Sequence, residues 1–196
     1  MRKNYIALAA LLAALAVACG KKAEKVLETG NAAAGDKGYT YAVTVEKMQF
    51  HWRLDGGLLR VKLKAPVQGW LAAGFDPERG MLGSNMMVGY LEGGRAVVTD
   101  QHGTDPKLHR KDIDLGGTDD LRETWGRQDA AGTEIGFTLP LETGDKLDKP
   151  LRPEAVVLML AYGTTNEMAK QHVFWGKARL NLRTGAYETT MIRREE

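Results

Sequence analysis

The sequence predicts an all-β protein, an antiparallel β-sandwich of about nine to eleven short strands. Three observations predict it. Apolar and polar residues alternate along many short segments, the period of a sheet with one buried and one wet face. Twenty-three glycines punctuate 196 residues while aromatics make up only 7%, which suits a chain of many tight turns. Few stretches carry a helical period; residues 165–170 read as a single short turn.

The elements follow in order. Tyr39, Tyr41, Val43 and Val45 share one parity, as do Met48, Phe50, Trp52 and Leu54 in the next run. Asp55-Gly56-Gly57 is a turn signal, after which Leu59, Val61 and Leu63 alternate with Arg60, Lys62 and Lys64. Segments 69–75 (GWLAAGF) and 86–91 (MMVGYL) read as buried strands, and Gly93-Gly94 closes a hairpin into 95–99. The mixed-charge stretch 101–120 reads as a loop with a short strand. Ile135, Phe137 and Leu139 form another alternating strand that ends at Pro140. The apolar run 156–162 (VVLMLAY) predicts a central strand buried on both faces, and Ala178, Leu180 and Leu182 a last strand.

Composition excludes several functions. With 27 basic and 25 acidic side chains, the chain lacks the electrostatic footprint of a general nucleic-acid binder. One cysteine, Cys19, excludes an intrachain disulfide, a multi-cysteine zinc site, an iron–sulfur cluster and a CxxCH haem attachment. No P-loop, GxGxxG, HExxH or GxSxG is present, and no catalytic pair stands out, so the reading is not an enzyme.

The N-terminus reads as an address. Arg2 and Lys3 precede the apolar run 5–18, which has the length of a signal-peptide core and is short for a membrane span. Leu15-Ala16-Val17-Ala18-Cys19-Gly20 resembles a bacterial lipobox, with Ala16 where leucine is usual. The expected organisation is a lipoprotein signal peptide over 1–18, a lipidated Cys19 heading a flexible tether over 19–38, and a β-sandwich domain over 39–196. The expected location is the bacterial cell envelope, anchored in membrane lipid through Cys19 on the periplasmic face or outer membrane. Without Arg2 and Lys3 the basic side chains match the 25 acidic ones.

Three segments, in order, resemble the DOMON family. The first is Gly69-Trp70-Leu71-Ala72-Ala73-Gly74-Phe75 with Gly80-Met81-Leu82-Gly83-Ser84-Asn85-Met86-Met87-Val88-Gly89-Tyr90. Asn85 and Tyr90 stand where the family commonly has an acidic residue and tryptophan. The second runs from Gly136 through Phe137-Thr138-Leu139-Pro140-Leu141 to Thr143-Gly144-Asp145 and Asp148, with Leu139 where many bacterial relatives carry arginine. The third is the strand ending Ala161-Tyr162-Gly163, then Gln171-His172 and Gly176-Lys177-Ala178. The resemblance implies an immunoglobulin-like β-sandwich. It also implies one of two functions, since some members are b-type cytochromes and others bind sugars or lack a known cofactor.

In haem-binding members a methionine precedes the "GS" segment and a histidine lies in the last segment. The resemblance thus implies Met81 and His172 as axial ligands of a non-covalent haem b. A thioether and an imidazole fill both axial positions and raise the potential, which suits electron transfer to a transient redox partner in the envelope. Met86 and Met87 are alternatives to Met81, and His51, His102 and His109 to His172. Met81 follows the polar turn Pro77-Glu78-Arg79-Gly80, an odd place for core filler. Both ligands lie beside loops, so the pocket is expected at one end of the sandwich. Trp70, Phe75, Tyr90, Phe174 and Trp175 are candidate walls, and Lys177 or Arg79 could meet the propionates. Trp52 and Trp125 read as core or sheet-face residues. In a sugar-binding member Trp70 or Trp175 would stack on the ligand. Asp145 reads as a turn residue bonded to nearby amides, with a divalent ion between Asp145 and Asp148 as the minor alternative.

Overall fold

The computed structural model describes residues 28–168 and 170–194, and among them the chain forms two antiparallel sheets. The first strands are β1 (Glu28–Asn31), β2 (Ala33–Ala34), β3 (Tyr41–Val45), β4 (Met48–Asp55) and β5 (Leu58–Ala65). Next come β6 (Leu71–Phe75), β7 (Asn85–Glu92), β8 (Arg95–Asp105) and β9 (Leu108–Lys111). A 3-10 turn, Asp112–Leu115, leads to β10 (Arg122–Asp129), β11 (Gly132–Pro140), β12 (Val156–Tyr162), β13 (Phe174–Leu180) and β14 (Ala186–Arg194). The eight-stranded sheet runs β1-β14-β13-β12-β6-β7-β8-β9 and the six-stranded sheet β10-β11-β5-β4-β3-β2.

The alternating residues face each other between the sheets. Phe50 and Trp52 of β4, Val61 and Leu63 of β5, Phe137 of β11, Phe75 of β6, Leu158 of β12 and Phe174 of β13 belong to one core cluster. Trp52 also donates from Nε1 to the Leu182 carbonyl at 2.9 Å, so its one polar atom is satisfied in the core. The Gly56-Gly57 and Gly93-Gly94 turns both have positive φ at each glycine, the geometry of the two-residue hairpin that matches strand twist.

Several expectations need correction. Fourteen strands are present among the described residues, because β1, β2, β9 and β10 are short or polar edge strands and β14 follows the expected last one. The tether boundary moves: residues 28–34, expected as linker, pair with β14 on one sheet and β3 on the other. The signal peptide and Cys19 lie outside the described residues. The stretch expected as loop, 101–120, begins with the end of an eleven-residue β8 and includes all of β9. Its alternation is hidden because the buried positions include Asp100, Gln101 and Gly103. Finally, β12 is buried on one face only: Val156, Leu158, Leu160 and Tyr162 enter the core, while Val157, Met159 and Ala161 are half-buried on the outer face. Among the described residues no helix is long and apolar enough to cross a membrane.

Phe75 is 1% exposed and meets Phe50 edge-on with ring centroids 6.3 Å apart. Phe75→Ala should therefore lower unfolding free energy by about 3–5 kcal/mol, read by denaturant titration at unchanged m-value.

Candidate functional site

The site is built on the outer face of the eight-stranded sheet, not at an end of the sandwich. Strand register sets its floor. One row of cross-strand neighbours runs Trp175, Ala161, Ala72, Val88; the next runs Lys177, Met159, Gly74, Met86. Ala161 and Ala72 in one row and Gly74 in the other are small beside their larger neighbours and leave a trough. A Cβ on Gly74 would lie 2.9 Å from the Met159 methyl and 3.3 Å from Met86 Cγ, so a side chain there would displace the two thioether side chains that cover it. Trp70, just before β6, packs with Ala72 and Val88 in a second small apolar cluster on this face.

Two walls close the trough into a pocket of about 640 Å³. One is the loop carrying Gly80 and Met81, together with the β8–β9 turn at Pro106-Lys107 and His109 of β9. The other is the segment after β12 that supplies Met168, Lys170, Gln171 and His172. Met81 is held by its backbone. Its N–H donates to the Pro106 carbonyl at 3.1 Å, and its own carbonyl accepts from the Ser84 N–H at 3.1 Å and the Ser84 hydroxyl at 2.5 Å. Gly83 and Gly103 add a bond of 2.8 Å that ties the loop to β8. A Cβ on Gly103 would overlap the Met81 carbonyl, so only glycine admits this approach. On the other wall Val173 donates to the Tyr162 carbonyl at 3.0 Å, which anchors His172 at the start of β13. The His172 ring meets Trp175 edge-on with centroids 6.5 Å apart.

The structure brings Met81, His172, Trp70 and Trp175 to one pocket. It does not bring Phe75, whose parity on β6 turns it into the core. Tyr90 packs against the Trp70 cluster but lies outside the lining. Of the alternatives, Met86 lines the floor, whereas Met87 points into the core. Lys177 lines the pocket and Arg79 does not. Phe174 and Trp52 are core, and Trp125 lies half-exposed on the other sheet, over Gly136.

Sequence reasoning missed Met159, Met168, Lys107 and Lys170, all in the lining, and weighed His109 only as an alternative to His172. Only Met159 left a signal, at the outward parity of β12. His109 Nδ1 lies 2.5 Å from Gln101 Oε1, and Gln101 Nε2 donates to the Thr99 hydroxyl at 2.7 Å. Nδ1 is thus the donor, the lone pair sits on Nε2, and burial holds the imidazole below its ordinary pKa. Three lysines line the pocket, Lys170 paired with Glu167 at 3.0 Å; among the described residues no carboxylate does. The pocket therefore joins an apolar, thioether-rich floor to a cationic rim with two imidazoles.

A family model for the DOMON domain matches residues 44–163, which contain the whole floor except β13. The chain belongs to the DOMON family. It is 24% identical over 130 residues to DBH-like monooxygenase protein 2 of Mus musculus, covering 65% of this chain and 20% of that protein. It is 25% identical over 136 residues to DBH-like monooxygenase protein 1 of Gallus gallus, covering 68% and 22%. The chain spans about a fifth of the length of these curated relatives. Among solved structures, the cytochrome domain of Myriococcum thermophilum cellobiose dehydrogenase superposes with a TM-score of 0.50 at 10% identity, over 86% of this chain and 88% of that one. The cytochrome b domain of pyranose dehydrogenase from Coprinopsis cinerea gives 0.48 at 12%, over 66% and 74%. The first likeness shows a shared fold.

Gly103→Ala should push the Met81 loop off β8. We expect a loss of about 1–3 kcal/mol in denaturant unfolding and a shifted Met81 methyl resonance in NMR spectra. His109 should titrate below the ordinary imidazole range, because burial disfavours its charged form, and show the Nδ1–H tautomer in nitrogen-detected spectra.

Proposed function

We propose that this DOMON domain binds haem b between Met81 and His172 and serves as an electron-transfer module, not as an enzyme. The observation that carries the reading is that these two donors, far apart in sequence, line one pocket. The residues fit the group. An apolar floor that includes Ala72, Ala161 and Met159 suits a hydrophobic ring, and the 640 Å³ volume is within the range that buries a small cofactor. The thioether and imidazole suit iron, and Lys107 and Lys177 suit two carboxylate tails.

Haem b, when bound, supplies a one-electron couple. The chain's own residues do the rest. Met81 offers a soft neutral sulfur that favours the reduced state, and its backbone bonds fix where that sulfur can reach. His172 offers the second donor beside Trp175. With both Met81 and His172 as donors, bound haem would supply electron transfer and would disfavour oxygenation. Trp70 and Trp175 keep water from the floor. We read the chain as a lipoprotein held in the cell envelope through Cys19, where tethering raises its local concentration near a transient redox partner.

A second reading has a specific observation in its favour: Trp70 and Trp175 line the same pocket and could stack on a sugar. Reconstitution separates the two. The full chain produced with haem available should purify red, with a low-spin spectrum in both redox states. His172→Ala should abolish that spectrum and Met81→Ala should lower the potential, each with at least about a tenfold loss of haem affinity. A spectrum abolished by His109→Ala and kept by His172→Ala would move the nitrogen ligand to the other wall. A colourless protein that refuses haem but melts higher with a sugar would establish the second reading.

A further inference from the structure

A cluster of carboxylates lies beyond the β8–β9 hairpin, outside the pocket. Carboxylate oxygens of Asp100, Asp120 and Asp148 lie within 4.8 Å of one another. Asp100, on β8, is 4% exposed; its Oδ2 accepts from the Asp120 N–H at 3.0 Å, and its Oδ1, fully buried, meets no donor. Asp112, which opens the 3-10 turn, is 0% exposed and neither carboxylate oxygen meets a donor. Among the described residues no ion pair reaches any of these four side chains. Asp145, the neighbour singled out from the sequence, is committed elsewhere. It accepts from the Thr118 N–H, from the Thr118 hydroxyl at 3.0 Å and from the Leu147 N–H at 2.7 Å.

Such a cluster is unfavourable by itself. Asp100, Asp112 and Asp148 each bury at least one carboxylate oxygen that meets no hydrogen-bond donor. A buried carboxylate without donor or counter-charge is rare because desolvation disfavours it strongly. A hard cation removes both the desolvation and the repulsion. All the donors are oxygens, they come from β8, the 119–121 loop and the 143–149 loop, and opposite oxygens around calcium stand about 4.6–5.2 Å apart.

We propose that Asp100, Asp120 and Asp148 form a calcium-binding site, with the buried Asp112 adding to its negative field. The site does not rest on the haem reading. The 3-10 turn follows β9 directly, so a bound ion would brace the hairpin that carries His109 and pins Met81.

Calorimetry and thermal unfolding of the full chain, stripped with chelator and tested with calcium chloride, decide the matter with or without haem. One calcium should bind with Kd between about 10⁻⁶ and 10⁻³ M. A hundredfold excess over Kd should raise Tm by about 5–10 °C. Asp100→Asn combined with Asp148→Asn keeps the volumes and removes the repulsion. This variant, stripped of metal, should melt at or above the stripped parent and lose the calcium response. Should the double variant not fold, Asp120→Asn, on the rim, should weaken calcium at least about tenfold. No heat and no Tm shift at 10 mM calcium, or a full response in either variant, overturns the site.

Discussion

Everything at the pocket depends on one packing constraint, the run of small side chains across the middle of the outer sheet face. Gly74 lies between Met159 and Met86, and Ala72 between Ala161 and Val88. Any larger residue there would fill the trough that the flanking tryptophans and methionines border. Antiparallel register makes the arrangement possible, because it lines up outward-facing residues of four strands in straight rows. The same strands bury their other faces against the six-stranded sheet, so the floor is rigid.

The walls are of a different kind. Both are loops held by backbone hydrogen bonds to rigid strands, which lets them carry reactive side chains at defined places. Gly103 and Gly80 matter for this reason: each lets one backbone approach another more closely than a Cβ permits. The Met81 loop, the β8–β9 hairpin and the acidic cluster form one connected region through Pro106, Gly103 and Asp100. Pocket geometry and cluster charge are thereby linked in a single part of the fold.

Net charge near zero conceals a segregation. Lysines and histidines gather around the pocket, while aspartates 100, 112, 120 and 148 gather beyond β9. The aspartates would repel one another when ionised, as would Lys107 and Lys177 on the pocket rim. An anionic ligand on one side and a cation on the other would answer that repulsion.

The sequence by itself determined the sheet architecture, the hairpin turns and the core, because period two and paired glycines are local properties. Phe50, Trp52, Val61 and Phe137 could be assigned to the core from alternation alone. It also marked Met81 and His172 through short family motifs. Only the tertiary structure decided which of the remaining candidates share their pocket. Phe75 went to the core and Met86 to the floor because each strand's parity acquires a direction only when a second sheet packs against one face. Asp100 was hidden for the reverse reason, and His109 ranked behind His172 on the same ground: polar residues buried by neighbours distant in sequence look, in the sequence, like an ordinary solvated loop.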